Sequence, residues 1–343
     1  MRVLIRADSS VEIGAGHVAR CSALAEALHA RGVKPTLLTR DLPGGIARPT
    51  VSLDVISIHD DTTVNVRAAR LAREWLGSDA EPSLLIVDHY GLDAAWEREA
   101  RGPRTRVAVI DDLADRQHAC DLLVDQNPAN DPGSRYAALV PSDCTLLEGP
   151  RYAMLRPEFR DERARLRRRD RTVRRCLIFF GGSDPMDLTT LTLEAIGDLN
   201  HPDVTFDVVV GMGNPRRELI ALSTQPMRNV VFHCQTDSMA VLMAAADLSI
   251  GAGGTATWER CCVGLPSLVV ITAENQRVVA IETADRGACV NLGDASELTA
   301  ASIAAALDAA LTGHIDLTAM SAAAMGLTDG NGSARVADAL LAT

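Results

Sequence analysis

Lysine is nearly missing from this chain. Lys34 is the single one among 34 basic residues, and the others are arginine. The bias reads as genomic base composition, and it excludes Schiff-base chemistry at any other position. Long apolar runs are missing too, since none approaches the ~20 residues that span a bilayer. A strand-like pattern begins within three residues of Met1, so no secretory signal is expected there. Paired cysteine motifs are absent. Cys21, Cys120, Cys144, Cys176, Cys234, Cys261, Cys262 and Cys289 form no C-x-x-C and no zinc-type spacing with histidine. Most lie in apolar runs, which reads as buried free thiols in a reducing compartment. Net positive charge is also lacking. A formal charge of −11 excludes a general nucleic-acid or membrane-surface binder. It still allows a small anion held by backbone N–H groups and a few arginines. The expectation is a cytoplasmic protein with neither a nucleic-acid nor a membrane partner.

What is present is alternation. The length of 343 residues suggests two domains, and a hydrophobic content of 47% is enough for two cores. In the first half, strand-like runs fall at residues 3–6, 36–39, 55–58, 84–87, 107–110 and 122–124, the last of them closing that half. Helical spacing falls at 18–30, at 64–76 and behind a cap at Asp93. Residues 158–175 are rich in Arg and Glu and read as a solvated helix or linker. The alternation then restarts. Strands are expected at 176–180, 208–210, 230–232, 248–250, 268–271 and 290–292. Helices are expected at 188–199, at 239–246 behind Asp237 or Ser238, and at 258–263. From Ser296 the chain is alanine-rich and helical. Two βα arrays in series predict two doubly wound α/β domains, 1–156 and 175–343, joined by a charged linker over 157–174. Ligands in such sheets sit at the carboxyl ends of strands, so the loops there are the candidates. If the two domains face each other, the site is the cleft between them.

Gly14-x-Gly16-His17 lies where the first strand hands over to a helix. Unpaired N–H groups there suit an anion, and a histidine beside them suits proton transfer. The segment is no Walker A loop. Against the dinucleotide fingerprint, Ala19 replaces the third glycine and the acidic residue would be Asp41 after Arg40, so NAD is the weaker reading. His17 reads either as a locally bonded helix-start residue or as a general base that a helix N-terminus keeps neutral, with Asp8 orienting the ring or the water. Gly251-Ala252-Gly253-Gly254-Thr255 is more specific. Small residues between strand and helix let a diphosphate approach the backbone, and Glu259 one turn on suits ribose hydroxyls. Gly181-Gly182-Ser183-Asp184 is a second such loop or a tight turn with Asp184 as a helix cap. Asp88-His89-Tyr90 and Asp111-Asp112 end strands. They read as helix caps or as partners of substrate hydroxyls rather than metal ligands. No G-x-S-x-G nucleophile elbow occurs.

Several segments together resemble the PseG family, the UDP-sugar hydrolases of pseudaminic acid biosynthesis. That family is similar in turn to SpsG-type spore coat polysaccharide proteins and to GT-B glycosyltransferases such as MurG. The segments are 6–10 with 14–20, 87–91, 110–115, 123–127, 151–159, 180–184, and 251–266 with Glu274-Asn275-Gln276. Thr255-Ala256-Thr257 and Glu274 depart mildly from the family pattern. The resemblance implies a GT-B-like fold of two Rossmann-like domains, with the nucleotide held mainly by the second. It implies hydrolysis of UDP-2,4-diacetamido-2,4,6-trideoxy-β-L-altropyranose, or a close analogue, to UDP and free sugar, with His17 as base and Arg156, Glu259 and Asn275 as substrate contacts. Asp8, Gly16, Arg20, Tyr90, Gly182, Asp184, Gly253, Gly254, Thr255 and Gln276 complete the expected substrate-binding set. No metal and no cofactor are expected, and a monomer is the default for this architecture. Two other functions fit the same motifs: a GT-B glycosyltransferase using a UDP-sugar donor, and a non-catalytic sugar-nucleotide-binding protein.

Overall fold

The computed structural model describes residues 1–43, 45, 53–59, 63–77, 81–128, 131, 133–166, 169 and 172–342. It divides into two compact units, Met1–Arg156 with Asn331–Thr343, and Pro157–Gly330.

The first unit contains β1 (Arg2–Ala7), α1 (Gly16–His29), β2 (Pro35–Asp41), β3 (Asp54–His59), α2 (Val64–Leu76), β4 (Ser83–Asp88), α3 (Ala94–Ala100), β5 (Thr105–Ile110), β6 (Leu122–Asp125) and β7 (Thr145–Glu148). The sheet order is β3-β2-β1-β4-β5-β6-β7, with parallel pairing throughout. Period-two alternation sorts the side chains of β1. Val3, Ile5 and Ala7 face α1, whose Val18, Cys21, Leu24, Ala25 and Leu28 recur at helical spacing. Leu4 faces the other way, toward Ala68 and Ala72 of α2. Helix α1 stops where Gly32 takes φ +80°, a left-handed turn that lets its amide donate to His29 O at 2.9 Å. Asp93 caps α3 by accepting from the amides of Ala95 and Trp96. Strand β7 lies beyond the last one expected. It is an edge strand with only Leu147 buried, so it carries no apolar run to betray it.

The second unit contains α4 (Pro157–Arg165), β8 (Arg175–Phe179), α5 (Leu188–Gly197), β9 (Thr205–Val210), α6 (Arg217–Thr224), β10 (Val230–Cys234), α7 (Met239–Ala245), β11 (Leu248–Ala252), α8 (Ala256–Cys262), β12 (Ser267–Ile271), α9 (Arg277–Asp285), β13 (Val290–Asp294), α10 (Ala300–Leu311) and α11 (Leu317–Leu327). Its sheet runs β10-β9-β8-β11-β12-β13, again parallel. Ser238 stands at the cap position of α7, but its side chain makes no capping bond.

Two further features differ from the sequence reading. The charged segment forms α4 over Pro157–Arg165, a helix exposed at Arg160, Asp161, Ala164 and Arg165, but one face of it is not solvated. Phe159 of α4 is fully buried, and Arg163 donates to the carbonyls of Cys262 (2.8 Å), Thr328 (2.9 Å) and Met325 (3.1 Å). Arg169 does the same for Ala246 at 2.9 Å and Met243 at 3.0 Å. These two arginines satisfy orphan carbonyls at helix C-termini. The second difference is the tail. Helix α12 (Gly332–Leu341) joins the first unit, where Val336, Ala337 and Leu340 pack against α1. Ser333 Oγ donates to Leu155 O at 2.9 Å, and Arg31 pairs with Asp338 at 2.7 Å. Alanine-rich spacing looks alike in α10, α11 and α12, so it cannot show which sheet each one covers.

Every cysteine is free. Cys234 is exposed, Cys144 half-buried and the others buried. Among the described residues no helix is long and apolar enough to cross a membrane.

Candidate functional site

In an open parallel sheet, a crevice forms where the strand order reverses, because the connections on either side leave in opposite directions. The first unit reverses between β1 and β4, and the second between β8 and β11. The segments leaving those four strands carry the chemistry-bearing residues.

At the first reversal, Leu84, Ile86 and Asp88 share one face of β4. The two apolar residues pack on α1, and Asp88 extends the same row to the strand end. On α1, His17, Arg20 and Cys21 stand three and four residues apart and so share a face. The two rows meet. His17 Nδ1 lies 2.5 Å from Asp88 Oδ1, Arg20 Nη2 and Nε lie 2.6 and 2.7 Å from the two carboxylate oxygens, and Cys21 Sγ lies 3.4 Å from Oδ2. Asp88 is 0% exposed and His17 is 7% exposed. Burial pushes the Asp88 carboxyl up, but Arg20 and then His17 outweigh it and hold the group well below the usual carboxylate range. A ring nitrogen this close to a buried carboxylate oxygen needs a proton between them. Nδ1 therefore carries the proton of that contact, which leaves Nε2 as the ring nitrogen available for proton exchange. The His17 and Tyr90 rings form a T-shaped pair, with centroids 4.5 Å apart and planes at 77°. Such a histidine can accept a proton at Nε2 while the carboxylate stabilises the resulting imidazolium.

Two expected roles change here. Asp8 does not orient His17. Arg6 stands on the Leu4 face of β1, away from α1, and Asp8 pairs with it there. Asp8 also accepts from Arg40 N at 2.8 Å and Nε at 2.5 Å, and lies 3.1 Å from His89 Nε2. Burial raises the Asp8 carboxyl, yet the His89 and Arg6 bonds hold it well below its ordinary value. His89 accepts from Gly91 N through Nδ1, so its Nε2 donates to Asp8, and burial holds its pKa below the ordinary histidine value. Arg20, expected on the substrate, has its guanidinium committed to Asp88 and, through Nη1, to Asp112 at 2.8 Å. It positions the pair. Nearby, the Tyr136 hydroxyl lies 3.1 Å from Asp111 Oδ2 and 3.2 Å from Asp125 Oδ2. Burial pushes Asp125 up to about 7 despite Arg135, with Asp112 and Asp111 adding to the rise. Gly16 opens α1, and half-buried Arg156 is the last residue before the chain enters the second unit.

At the second reversal, Gly251 is required by close approach. A Cβ there would stand 2.2 Å from Phe179 O of the neighbouring strand. Gly253 N donates to Val270 O at 3.0 Å, whereas the amides of Gly254, Thr255 and Ala256 make no hydrogen bond among the described residues. Gln276, from the turn after β12, lies against Gly253 and Gly254. Its Oε1 accepts from Thr272 N and Oγ1 at 3.1 and 2.9 Å. Glu259 on α8 and Asn275 beside Gln276 are half-buried. The expected Gly253, Gly254, Thr255 and Gln276 thus share one loop cluster. Gly182, from the segment after β8, packs against Gly211. Asp184 does not present its carboxylate outward. It accepts from Leu188 N, Thr189 N and Thr189 Oγ1 at 2.6–3.0 Å, so it caps α5.

The sequence reading left Asp88 and Asp112 as caps or hydroxyl partners and gave Arg260, inside the 251–266 segment, no role of its own. For Asp88 the signal was available: histidine and arginine three apart at a helix start, and an acid ending another buried strand. Among the described residues no cluster of three or more His, Cys, Asp or Glu is arranged to hold a metal ion.

Comparison with known proteins now adds to this geometry. Residues 176–339 match the glycosyltransferase family 28 C-terminal domain. In structure the chain is similar to MurG of Acinetobacter baumannii, with a TM-score of 0.68 over 99% of each chain at 18% identity. The fold is GT-B-like. In sequence the chain is similar to SpsG, a spore coat polysaccharide biosynthesis protein of Bacillus subtilis (strain 168). The two are 27% identical over 300 residues, which is 85% of this chain and 84% of that one. It is also 26% identical over 288 residues to the UDP-2,4-diacetamido-2,4,6-trideoxy-beta-L-altropyranose hydrolase of Campylobacter jejuni, covering 84% of this chain and 97% of that one.

Proposed function

We propose that this protein hydrolyses a UDP-linked sugar to UDP and the free sugar, the substrate being UDP-2,4-diacetamido-2,4,6-trideoxy-β-L-altropyranose or a close analogue. The observation that carries the chemistry is the His17–Asp88 pair, whose 2.5 Å contact leaves Nε2 as the basic atom. The likeness to the Campylobacter hydrolase supports the substrate class. In this reading His17 Nε2 takes a proton from water as the water oxygen bonds to the anomeric carbon. The bond from that carbon to the diphosphate oxygen breaks, and its electron pair leaves with UDP. In-line displacement of this kind inverts the anomeric centre. The free amides of Gly254, Thr255 and Ala256 suit the diphosphate oxygens and the charge that builds on them as the bond breaks. Glu259 is assigned to the ribose hydroxyls and Asn275 to the substrate, with Tyr90 beside His17 facing the sugar.

The test is UDP release from this UDP-sugar with no acceptor added, by wild type and by His17→Asn. Loss of turnover in the variant with UDP affinity unchanged is the expected result. Substantial activity in His17→Asn overturns the assignment of the base. A second reading, transfer of the sugar to an acceptor, is favoured by the family 28 match. It predicts that UDP appears only when an acceptor is supplied.

A further inference from the structure

Three arginines are buried among the described residues: Arg6, Arg20 and Arg260. Two of them sit on carboxylates, Arg6 on Asp8 and Arg20 on Asp88. Arg260 does not. It lies on α8, 2% exposed, directly behind the Gly251–Thr257 loop. Its Nη2 donates to Ala252 O at 2.9 Å and Thr257 Oγ1 at 3.1 Å, and its Nη1 lies 3.1 Å from where a Cβ on Gly251 would stand. Its Nε has no partner. All the bonded acceptors are neutral, and no carboxylate of the described residues lies within ion-pairing distance. Burial lowers the Arg260 pKa, and Glu259, one residue earlier on α8, offsets this only through space and last among the groups that act on it. The neighbouring thiols bring no negative charge, since burial pushes Cys261 up to about 12 and raises Cys289 as well.

A buried guanidinium with neutral partners is a poor device for stability alone, because desolvating a charge is costly unless an opposite charge offsets it. The missing counter-charge has a place to bind. The loop in front of Arg260 offers the unpaired amides of Gly254, Thr255 and Ala256, and Arg260 itself draws the Ala252 carbonyl inward. We infer that Arg260 is the charge-selecting residue of this loop: it supplies the fixed positive charge that makes the loop prefer a diphosphate-bearing ligand over the uncharged nucleoside. It acts through the loop, without touching the ligand, and is a positioning and specificity residue rather than a catalytic one. The inference rests on the nucleotide reading above.

Titration calorimetry with UDP and with uridine, on the full chain, tests it. Wild type is expected to bind UDP far more tightly than uridine. Removing a unit charge close behind a polyanion, in surroundings of effective dielectric near 20, weakens binding by roughly ten- to a hundredfold. Arg260→Gln is therefore expected to lose about that factor for UDP and little for uridine. Arg260→Lys keeps the charge and is expected to hold the UDP-to-uridine ratio within about threefold of wild type. An equal loss for both ligands in Arg260→Gln overturns the inference and leaves the nucleotide reading standing. So does a ratio in Arg260→Lys that collapses, since that assigns the residue to hydrogen-bond geometry. The lysine variant decides the matter if the glutamine variant fails to fold. A wild-type protein that does not bind UDP overturns both.

Discussion

Replacing Asp88 by asparagine keeps the shape of the side chain and removes its charge. The carboxylate accepts from His17 Nδ1, Arg20 Nε and Nη2, and Cys21 Sγ, all at 3.4 Å or less. An amide has one oxygen, so in either orientation its NH2 group meets at least one of these donors head-on. Arg20 then stays buried with Asp112 as its only anion. Breaking a buried pair by removing one partner costs about 3–5 kcal/mol, so urea unfolding of Asp88→Asn is expected to show a loss of that size near pH 7. The loss has a definite pH signature. The folded Asp88 pKa is depressed, so its contribution is fully present above the ordinary carboxylate value near ~4 and is lost as pH falls through that value toward the folded one. The gap between wild type and variant should therefore narrow below about pH 4. For turnover, the variant no longer enforces the Nδ1–H tautomer of His17. Where a carboxylate orients a catalytic histidine, this change lowers kcat by roughly 10⁴-fold. UDP affinity is expected to change by less than about twofold, because Asp88 belongs to the first unit and the loop proposed to hold UDP belongs to the second. The reasoning is refuted if Asp88→Asn turns over UDP-sugar within threefold of wild type, or if its stability gap is constant from pH 7 to pH 3.

Three further outcomes are expected. Gly251→Ala places a Cβ 2.2 Å from Phe179 O between paired strands, so it should lose about 3 kcal/mol, the upper end of overpacking costs. Gly182→Ala meets nothing within 4 Å and should melt within about 0.5 kcal/mol of wild type by urea titration. Asp125 has a raised folded value, about 7, so the native state holds a proton that the unfolded chain releases near ~4. Stability should then fall as pH rises from 4 to 7, by up to roughly 1.4 kcal/mol per unit. Asp125→Asn should remove that slope in pH-dependent unfolding, and an unchanged slope refutes the assignment.

Much of this protein was legible in one dimension. Period-two and period-3.6 patterns follow from backbone geometry, so the alternation of strands and helices, and with it two parallel sheets, could be read from apolar spacing. The glycine at 251 and the Gly14–His17 turn stand out because they follow buried strands. The carbonyl-bonded arginines of the charged segment and the unit joined by the tail's last helix went unforeseen for a common reason. Composition reports exposure only on average, whereas Arg163 and Arg169 are spent on helix ends, and α12 packs on α1 rather than beside α11. Local pattern determined which residues could do chemistry, namely His17, the strand-end acids and the glycine loops. Partnership was decided only by the tertiary structure. Asp8 lies nine residues from His17 and pairs elsewhere because β1 turns Arg6 away from α1. Asp88 lies 71 residues away and meets His17 because β4 pairs with β1 in a register that sets Asp88 beside Ala7.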